Sequence, residues 1–142
     1  MDNCEGVDRS RKPLSSTWAS QVVEAIPMPM FVIDAKHQVV HWNRACEQLT
    51  GVAANSVLGT TRAWSAFYPS PRPLIADLAL SGLRREDFER HYAGKFRPSP
   101  SIEGAWELED FFPRMPDGGK WLVFSAAALR DESGAVVGAV ET

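Results

Sequence analysis

Short apolar runs in the first third of the chain, and apolar residues that alternate with polar ones in the last third, predict β-strands in both regions. Residues 30–34 and 39–43 are two short apolar runs rich in strand formers, and the segment between them has the length of a hairpin turn. Three further strands are predicted in the C-terminal third: 106–112, 121–129 and 136–140. In the first of these, a break in the alternation near Asp110 predicts a bulge. Because short turns join the strands, we expect the first two strands to pair and the last three to form a meander.

Between and before these blocks the apolar positions follow the helical period. Trp18, Val22 and Ile26 share one face of a helix predicted over 17–26, which ends before Pro27. Residues 94–104 contain two prolines and two glycines and are predicted to form a loop. The other predicted helices are short: 44–49, 55–58, 73–81 and 85–92.

Strands and helices in separate blocks are typical of an α+β fold with an antiparallel sheet. The chain of 142 residues is long enough for one domain with one core. Residues 1–16 are polar and charged, so we expect a flexible leader followed by a single domain over 17–142. In that domain, helices should cover one face of a five-stranded sheet.

Charge and composition exclude several classes of protein. The net charge of −3 and the lack of a basic stripe argue against a nucleic-acid partner. No apolar run is long enough to span a membrane, and the start lacks the features of a secretory signal. Two cysteines, Cys4 and Cys46, are too few for a disulfide scaffold, so we expect reduced thiols in a cytoplasmic protein.

The sequence offers no arrangement typical of catalysis. The three histidines, His37, His41 and His91, have no serine or cysteine partner nearby in sequence, and no Walker-type phosphate loop or Gly-x-Ser-x-Gly motif occurs. The spacing of His37, His41 and Cys46 follows no zinc pattern. We therefore expect neither a catalytic nor a metal site, and the chain is predicted not to be an enzyme.

A cluster of aromatic residues in the middle of the chain is the best candidate for a binding site. Trp64, Phe67 and Tyr68 precede Arg72 and Asp77. In one interpretation the rings fill the core, and Arg72 pairs with Asp77 or caps a neighbouring element. In the other the rings line a pocket, and the Arg72 guanidinium offers a bidentate fork to a carboxylate or phosphate.

The opposite wall of such a pocket would come from the long predicted strand, where Phe124 and Ser125 are the candidates. Neighbouring residues of a strand point to opposite faces, so a shift of one residue in register exchanges the two. The sequence leaves open which of them faces inward.

The ordered set of motifs resembles a PAS domain over roughly residues 25–142. The first half contributes Phe-Val-Ile-Asp (31–34), Val-Val-His-Trp-Asn-Arg-Ala (39–45), Leu-Thr-Gly (49–51) and Leu-Gly (58–59). The second half contributes Gly-Lys-Trp-Leu (119–122), Ala-Ala-Leu-Arg-Asp (127–131), Gly134 and Val-Gly-Ala-Val-Glu-Thr (137–142). The middle segment, from Trp64 to Leu78, resembles a subgroup attached to bacterial signalling proteins.

The resemblance implies a five-stranded antiparallel sheet with short helices on one face, an N-terminal capping helix, and a pocket between sheet and helices. It implies a cytoplasmic sensor at the N-terminus of a larger bacterial protein, such as a histidine kinase, a diguanylate cyclase or a chemotaxis protein. The sensor would bind a small molecule, form a homodimer, or both, and regulate an attached output domain. Two alternatives stay open: a ligand-free dimerisation module, and a haem- or flavin-binding redox sensor.

The resemblance also bears on cofactors. Some PAS domains hold haem through a helical histidine, and His91 is the candidate here, whereas the Asn-Cys-Arg-Phe-Leu motif of flavin-thiol sensors is absent. We expect no cofactor.

The sequence departs from the family pattern at two places. His37 stands where the family often has glycine, and histidine tolerates positive φ better than most residues. The chain stops at Thr142, before the family's usual connecting helix, so we expect a fragment of a longer protein.

Overall fold

The computed structural model describes residues 16–103 and 105–142. The described residues form five α-helices, one 3-10 helix and six strands. In chain order these are α1 (Ser16–Ala25), β1 (Phe31–Asp34), β2 (Val39–Trp42), α2 (Arg44–Thr50), α3 (Ala54–Val57), the 3-10 helix (Ala63–Ala66), α4 (Ile75–Leu80), α5 (Arg85–Tyr92), β3 (Phe96–Pro98), β4 (Trp106–Phe112), β5 (Lys120–Arg130) and β6 (Val136–Glu141). The predicted leader lies outside the described residues, apart from Ser16.

The strands form one antiparallel sheet in the order β2-β1-β6-β5-β4-β3. The predicted α+β fold is confirmed, including the N-terminal hairpin and the C-terminal meander. The last strand pairs with the first, and Phe31 lies opposite Glu141. Gly138 makes this pairing possible, since a Cβ atom there would lie 2.5 Å from the Ile33 carbonyl oxygen.

Two details of the predicted sheet are corrected. The sheet has six strands instead of five, because residues 96–98 pair with β4 although their proline and glycine neighbours predicted a loop. An edge strand needs a partner on one side only, so Pro98 is tolerated there. The bulge expected near Asp110 is absent from β4, whose register with β5 is continuous. Irregularities occur instead between Val32 and Ile33 and between Leu129 and Arg130.

The helices between β2 and β3 cover one face of the sheet, which we call the inner face. Its buried side chains include Phe31, Ile33, Leu108 and Ala139, and they form the core together with α4 and α5. Alternation along β4 and β5 leaves Phe111, Trp121 and other residues on the opposite, outer face. Among the described helices, none has both the length and the apolar character needed to cross a membrane.

Helix α1 contacts α2 and β2 at one edge of the sheet. The fully buried side chain of Asn43 ties it there. Asn43 Nδ2 donates to the carbonyl oxygens of Val23 and Met28, and Oδ1 caps α2 by accepting from the backbone N–H of Cys46 at 2.9 Å. One side chain therefore fixes both the start of α2 and the end of α1.

Candidate ligand cavity

A cavity of about 340 Å³ lies between the sheet and the helical layer, and it reaches both faces of β5, because the consecutive residues 122–125 all line it. Its lining is mostly apolar and aromatic. The lining residues are Met28, Pro29, Phe31, Cys46, Leu49, Phe67, Tyr68, Leu74, Glu107, Phe112, Leu122, Val123, Phe124, Ser125, Glu141 and Thr142. A cleft of this size and character is typical of a small-molecule site.

Contacting rings form much of the cavity wall. The centroids of the Phe67 and Phe112 rings are 5.9 Å apart with an edge-on orientation, and Phe112 lies 5.6 Å from Phe124. Tyr68 also contacts Phe112, at 5.5 Å. Such contacts fix the orientations of the rings, so the cavity has a defined shape.

Glu141 is the buried charged residue of this wall. It is 5% exposed, and its Oε2 accepts a hydrogen bond from the backbone N–H of Ala76 in α4 at 3.0 Å. Its other oxygen, Oε1, accepts no hydrogen bond within the described part of the chain. Burial, and to a smaller extent the charge of Asp77, raise the pKa of Glu141 to about 8.

Cys46 contributes a thiol to the same wall. It is 1% exposed, and burial together with the nearby Glu141 raises its pKa to about 12. The thiol is therefore protonated at physiological pH and has the character of a small apolar side chain rather than a nucleophile. Among the described residues, no three histidine, cysteine or acidic side chains are grouped so that they could hold a metal ion.

Arg72 does not line the cavity. Its guanidinium carbon lies 4.1 Å from the centroid of the Tyr68 ring and 4.8 Å from that of Tyr92. Its Nη2 donates to the carbonyl oxygen of His91, near the end of α5. In this position Arg72 joins two rings to a helix terminus, as in the interpretation in which it caps a neighbouring element.

Asp77 also lies outside the lining residues and stabilises backbone structure. Its Oδ2 accepts from the N–H of Leu74 at 2.8 Å, at the start of α4. Its Oδ1 lies 2.6 Å from Nδ1 of His37, which has a φ of 65° in the β1–β2 turn. The positive φ expected for His37 is thus present, and its side chain links the turn to α4.

The other predicted site residues are divided between the cavity and its surroundings. Phe67, Tyr68, Phe124 and Ser125 line the cavity, and Phe124 is the one buried against the helices. Ser125 belongs to the opposite face by strand alternation and lies 3.3 Å, Oγ to Oγ1, from Thr142. Two residues are not among the lining set: Trp64, which packs against the core, and His91.

Sequence reasoning missed Glu141 and Cys46. The alternation of β6 places residue 141 on the same face as the buried Ala139, so the inward position of Glu141 was readable. Its burial could not be predicted, because a carboxyl group is usually solvated. The backbone N–H of Ala76, which makes this burial possible as a hydrogen-bond donor, lies 65 residues away in the sequence, in α4.

Several solved structures of other proteins resemble the fold of this chain. The PAS domain of BvgS from Bordetella pertussis is 17% identical in sequence with a TM-score of 0.53, and the match covers 88% of this chain and 79% of that one. An RNA-binding light-oxygen-voltage receptor is 19% identical with a TM-score of 0.57, covering 96% of this chain and 35% of the receptor. VqmA bound to DPO is 17% identical with a TM-score of 0.50, covering 89% of this chain and 55% of VqmA.

No curated protein matches the chain in sequence. The family model for the PAS fold matches residues 19–141, and therefore includes all six strands of the described structure and most of α1. Together with the sheet order and the helices on one face, this match shows that the chain belongs to the PAS fold family, whose members are sensory modules.

Proposed function

We propose that this PAS domain senses a small, largely apolar molecule that binds in the cavity between the sheet and the helices. The observation that carries the proposal is the cavity itself, about 340 Å³ with aromatic walls. VqmA, part of which resembles this chain in structure, has been solved bound to DPO. The domain itself does no chemistry in this proposal.

The signal would pass through β6. This strand forms hydrogen bonds to both β1 and β5, and Glu141 near its end borders the cavity. A ligand that favours one arrangement of α4 relative to β6 shifts the population toward that arrangement. We propose that the domain is the cytoplasmic, N-terminal sensor of a larger bacterial signalling protein, in which β6 leads to an output domain such as a kinase, a diguanylate cyclase or a chemotaxis module.

The experiment is native mass spectrometry of the purified protein, followed by a screen of small apolar compounds. Leu122→Trp should fill the cavity, because Leu122 lines it, whereas Leu129→Trp changes an exposed residue of the same strand. We expect the parent and Leu129→Trp to retain or bind a ligand and Leu122→Trp to bind none. Equal binding by both variants would place the ligand elsewhere and refute the proposal.

A second candidate function, homodimerisation, is favoured by the outer face of the sheet. Trp121 is 69% exposed, Val123 59% and Phe111 40%, and the rings of Phe111 and Trp121 are 5.6 Å apart. Adjacent exposed apolar side chains of this size are typical of an interaction surface. Val123 belongs both to this surface and to the lining of the cavity, whereas Phe111 and Trp121 do not line the cavity.

A further inference from the structure

The cavity has an unusual distribution of charge for a site that would take an organic acid. Among the residues that line it in the described structure, none is lysine, arginine or histidine, whereas two are glutamate. Glu107 is neutralised by Arg97, whose Nε lies 3.2 Å from Oε2, and its Oε1 is 3.4 Å from Ser99 Oγ. Glu141 has no such cationic partner within residues 16–103 and 105–142, so an anion in the cavity would meet a carboxyl group without a balancing positive charge from these residues.

The hydrogen bonds of Glu141 determine which atom is available to a ligand. Oε2 already accepts from Ala76 N–H, and Oε1 has no partner in the described residues. A carboxyl group buried without a cation is favoured in its neutral form, because ionisation in apolar surroundings is costly. The proton then resides on Oε1, since Oε2 is the acceptor for Ala76, and Oε1–H is a hydrogen-bond donor with no acceptor.

The groups that face Glu141 from the surrounding elements support this protonation state. Asp77 on α4 is acidic, Cys46 on α2 has a neutral thiol, and Tyr68 and Tyr92 are phenols whose pKa values are raised by burial. On the neighbouring strands, Phe31 and Ala126 lie opposite it. The charged side chain that acts on the pKa of Glu141 is therefore itself an acid, Asp77, and it disfavours a second negative charge.

Tyr68 lines the cavity, but its hydroxyl oxygen is fully buried beside that of Tyr92 and does not face the open space. The other polar residues of the lining already have partners: Glu107 pairs with Arg97, and the hydroxyls of Ser125 and Thr142 lie 3.3 Å apart. Among the described lining residues, Glu141 therefore has the polar atom that is best placed to meet a ligand.

We propose that Glu141 is the polar anchor of the cavity and that the ligand is a small, uncharged, mostly apolar molecule with a hydrogen-bond acceptor, such as a carbonyl oxygen or a ring nitrogen, that accepts from Glu141 Oε1–H. This inference rests on the proposed function and narrows its ligand class. In this proposal Glu141, instead of Arg72, is the group that selects the ligand, and small organic acids are excluded as ligands of the cavity.

The test uses four probes of similar shape: toluene, acetophenone, benzylamine and benzoate. Binding is followed by protein-observed NMR, with the Ala76 amide resonance as the local reporter, because this amide donates to Glu141. At about pH 6.5 we expect acetophenone to bind more tightly than toluene, and benzoate to bind not at all. The pKa of about 8 predicts that the affinity for acetophenone falls about tenfold by about pH 9, as the donor proton is lost.

Two variants separate this role from a structural one. In Glu141→Gln the amide oxygen can accept from Ala76 while its NH₂ faces the cavity, so acetophenone should still bind but without the fall at high pH. Glu107→Gln, the control at the other lining carboxyl group, should keep the fall. A tighter complex with benzylamine or benzoate than with acetophenone, or an equal fall in Glu141→Gln, would overturn the anchor. If none of the probes binds, toluene included, the cavity is not a ligand site and the proposed function fails as well.

Discussion

At the scale of single residues, Glu141 shows how a tertiary contact changes the chemistry of a side chain. Alternation in β6 indicates the face of the sheet on which it lies, but its neutral state depends on burial beneath α4 and on the nearby Asp77. Those partners come from a distant part of the chain, so the sequence alone predicts an ordinary solvated glutamate.

Stability should depend on pH through this residue. The pKa of Glu141 is raised from 4.5 to about 8 in the folded state, so the folded protein binds this proton more tightly than the unfolded chain. Its contribution is fully present below about pH 4.5 and is lost as pH rises to about 8. We expect Glu141→Gln to be more stable than the parent at about pH 8, by on the order of 4 kcal/mol, with the difference shrinking toward about pH 4.5.

Urea unfolding of both proteins across this pH range measures the difference in unfolding free energy. Glu109→Gln, at an exposed position of β4, is the matched control and should show no pH-dependent difference from the parent. A constant difference between Glu141→Gln and the parent at every pH would contradict the buried neutral carboxyl group.

Arg72 illustrates an alternative that the sequence left open. Its position between the Tyr68 and Tyr92 rings and its hydrogen bond to the His91 carbonyl predict a structural contribution. Arg72→Ala should lower the unfolding free energy by about 1–3 kcal/mol, through lost cation–π contacts and an unpaired carbonyl. Arg62→Ala, which removes one exposed hydrogen bond to Ser56, should change it by less than about 0.5 kcal/mol in the same denaturant titration. Equal effects of the two changes would contradict this role.

At the scale of elements, local signals predicted the helices and most strands, because these depend on neighbours in sequence. Pro27 and Gly51 end α1 and α2 where the pattern indicated, and Gly51 has the positive φ of a helix C-cap. β3 was missed because a three-residue edge strand depends on the partner that β4 supplies. Segments with a regular hydrophobic period can therefore be predicted from the sequence. Segments that form all their hydrogen bonds with distant parts of the chain cannot.

The attachment of α1 is a prediction at this scale. Asn43→Ser keeps an oxygen that can cap α2 and removes the Nδ2 donor to Val23 and Met28. We expect faster hydrogen exchange of the α1 amides, by about tenfold or more, with little change in β5 and β6. Gln48→Ser, at an exposed position of α2, is the control and should leave α1 protected. Unchanged exchange in Asn43→Ser would show that other contacts hold α1.

At the scale of the whole molecule, helices cover one face of the sheet and leave apolar side chains exposed on the other. The aromatic residues predicted for a binding site divide between the cavity wall and the packing behind it. Predicting the cavity would have required the volumes left between side chains, and these depend on how α2, residues 67–74 and the sheet pack together. The outer face of the sheet presents the apolar surface that the hydrophobic pattern left without a partner.

This outer surface predicts a homodimer that forms independently of the ligand. Trp121 is 69% exposed on β5, so burial of its ring in a second copy would remove a large apolar area from water. We expect the parent to sediment as a dimer at low micromolar concentration, and Trp121→Ala to weaken it at least about tenfold without loss of folding, since one buried ring contributes at least about 1.4 kcal/mol. Ile102→Ala, at a residue 60% exposed outside the sheet, should leave the dimer intact. Because Trp121 does not line the cavity, Trp121→Ala should retain the acetophenone affinity of the parent, whereas loss of both properties in this variant would show that the cavity is completed only in the dimer.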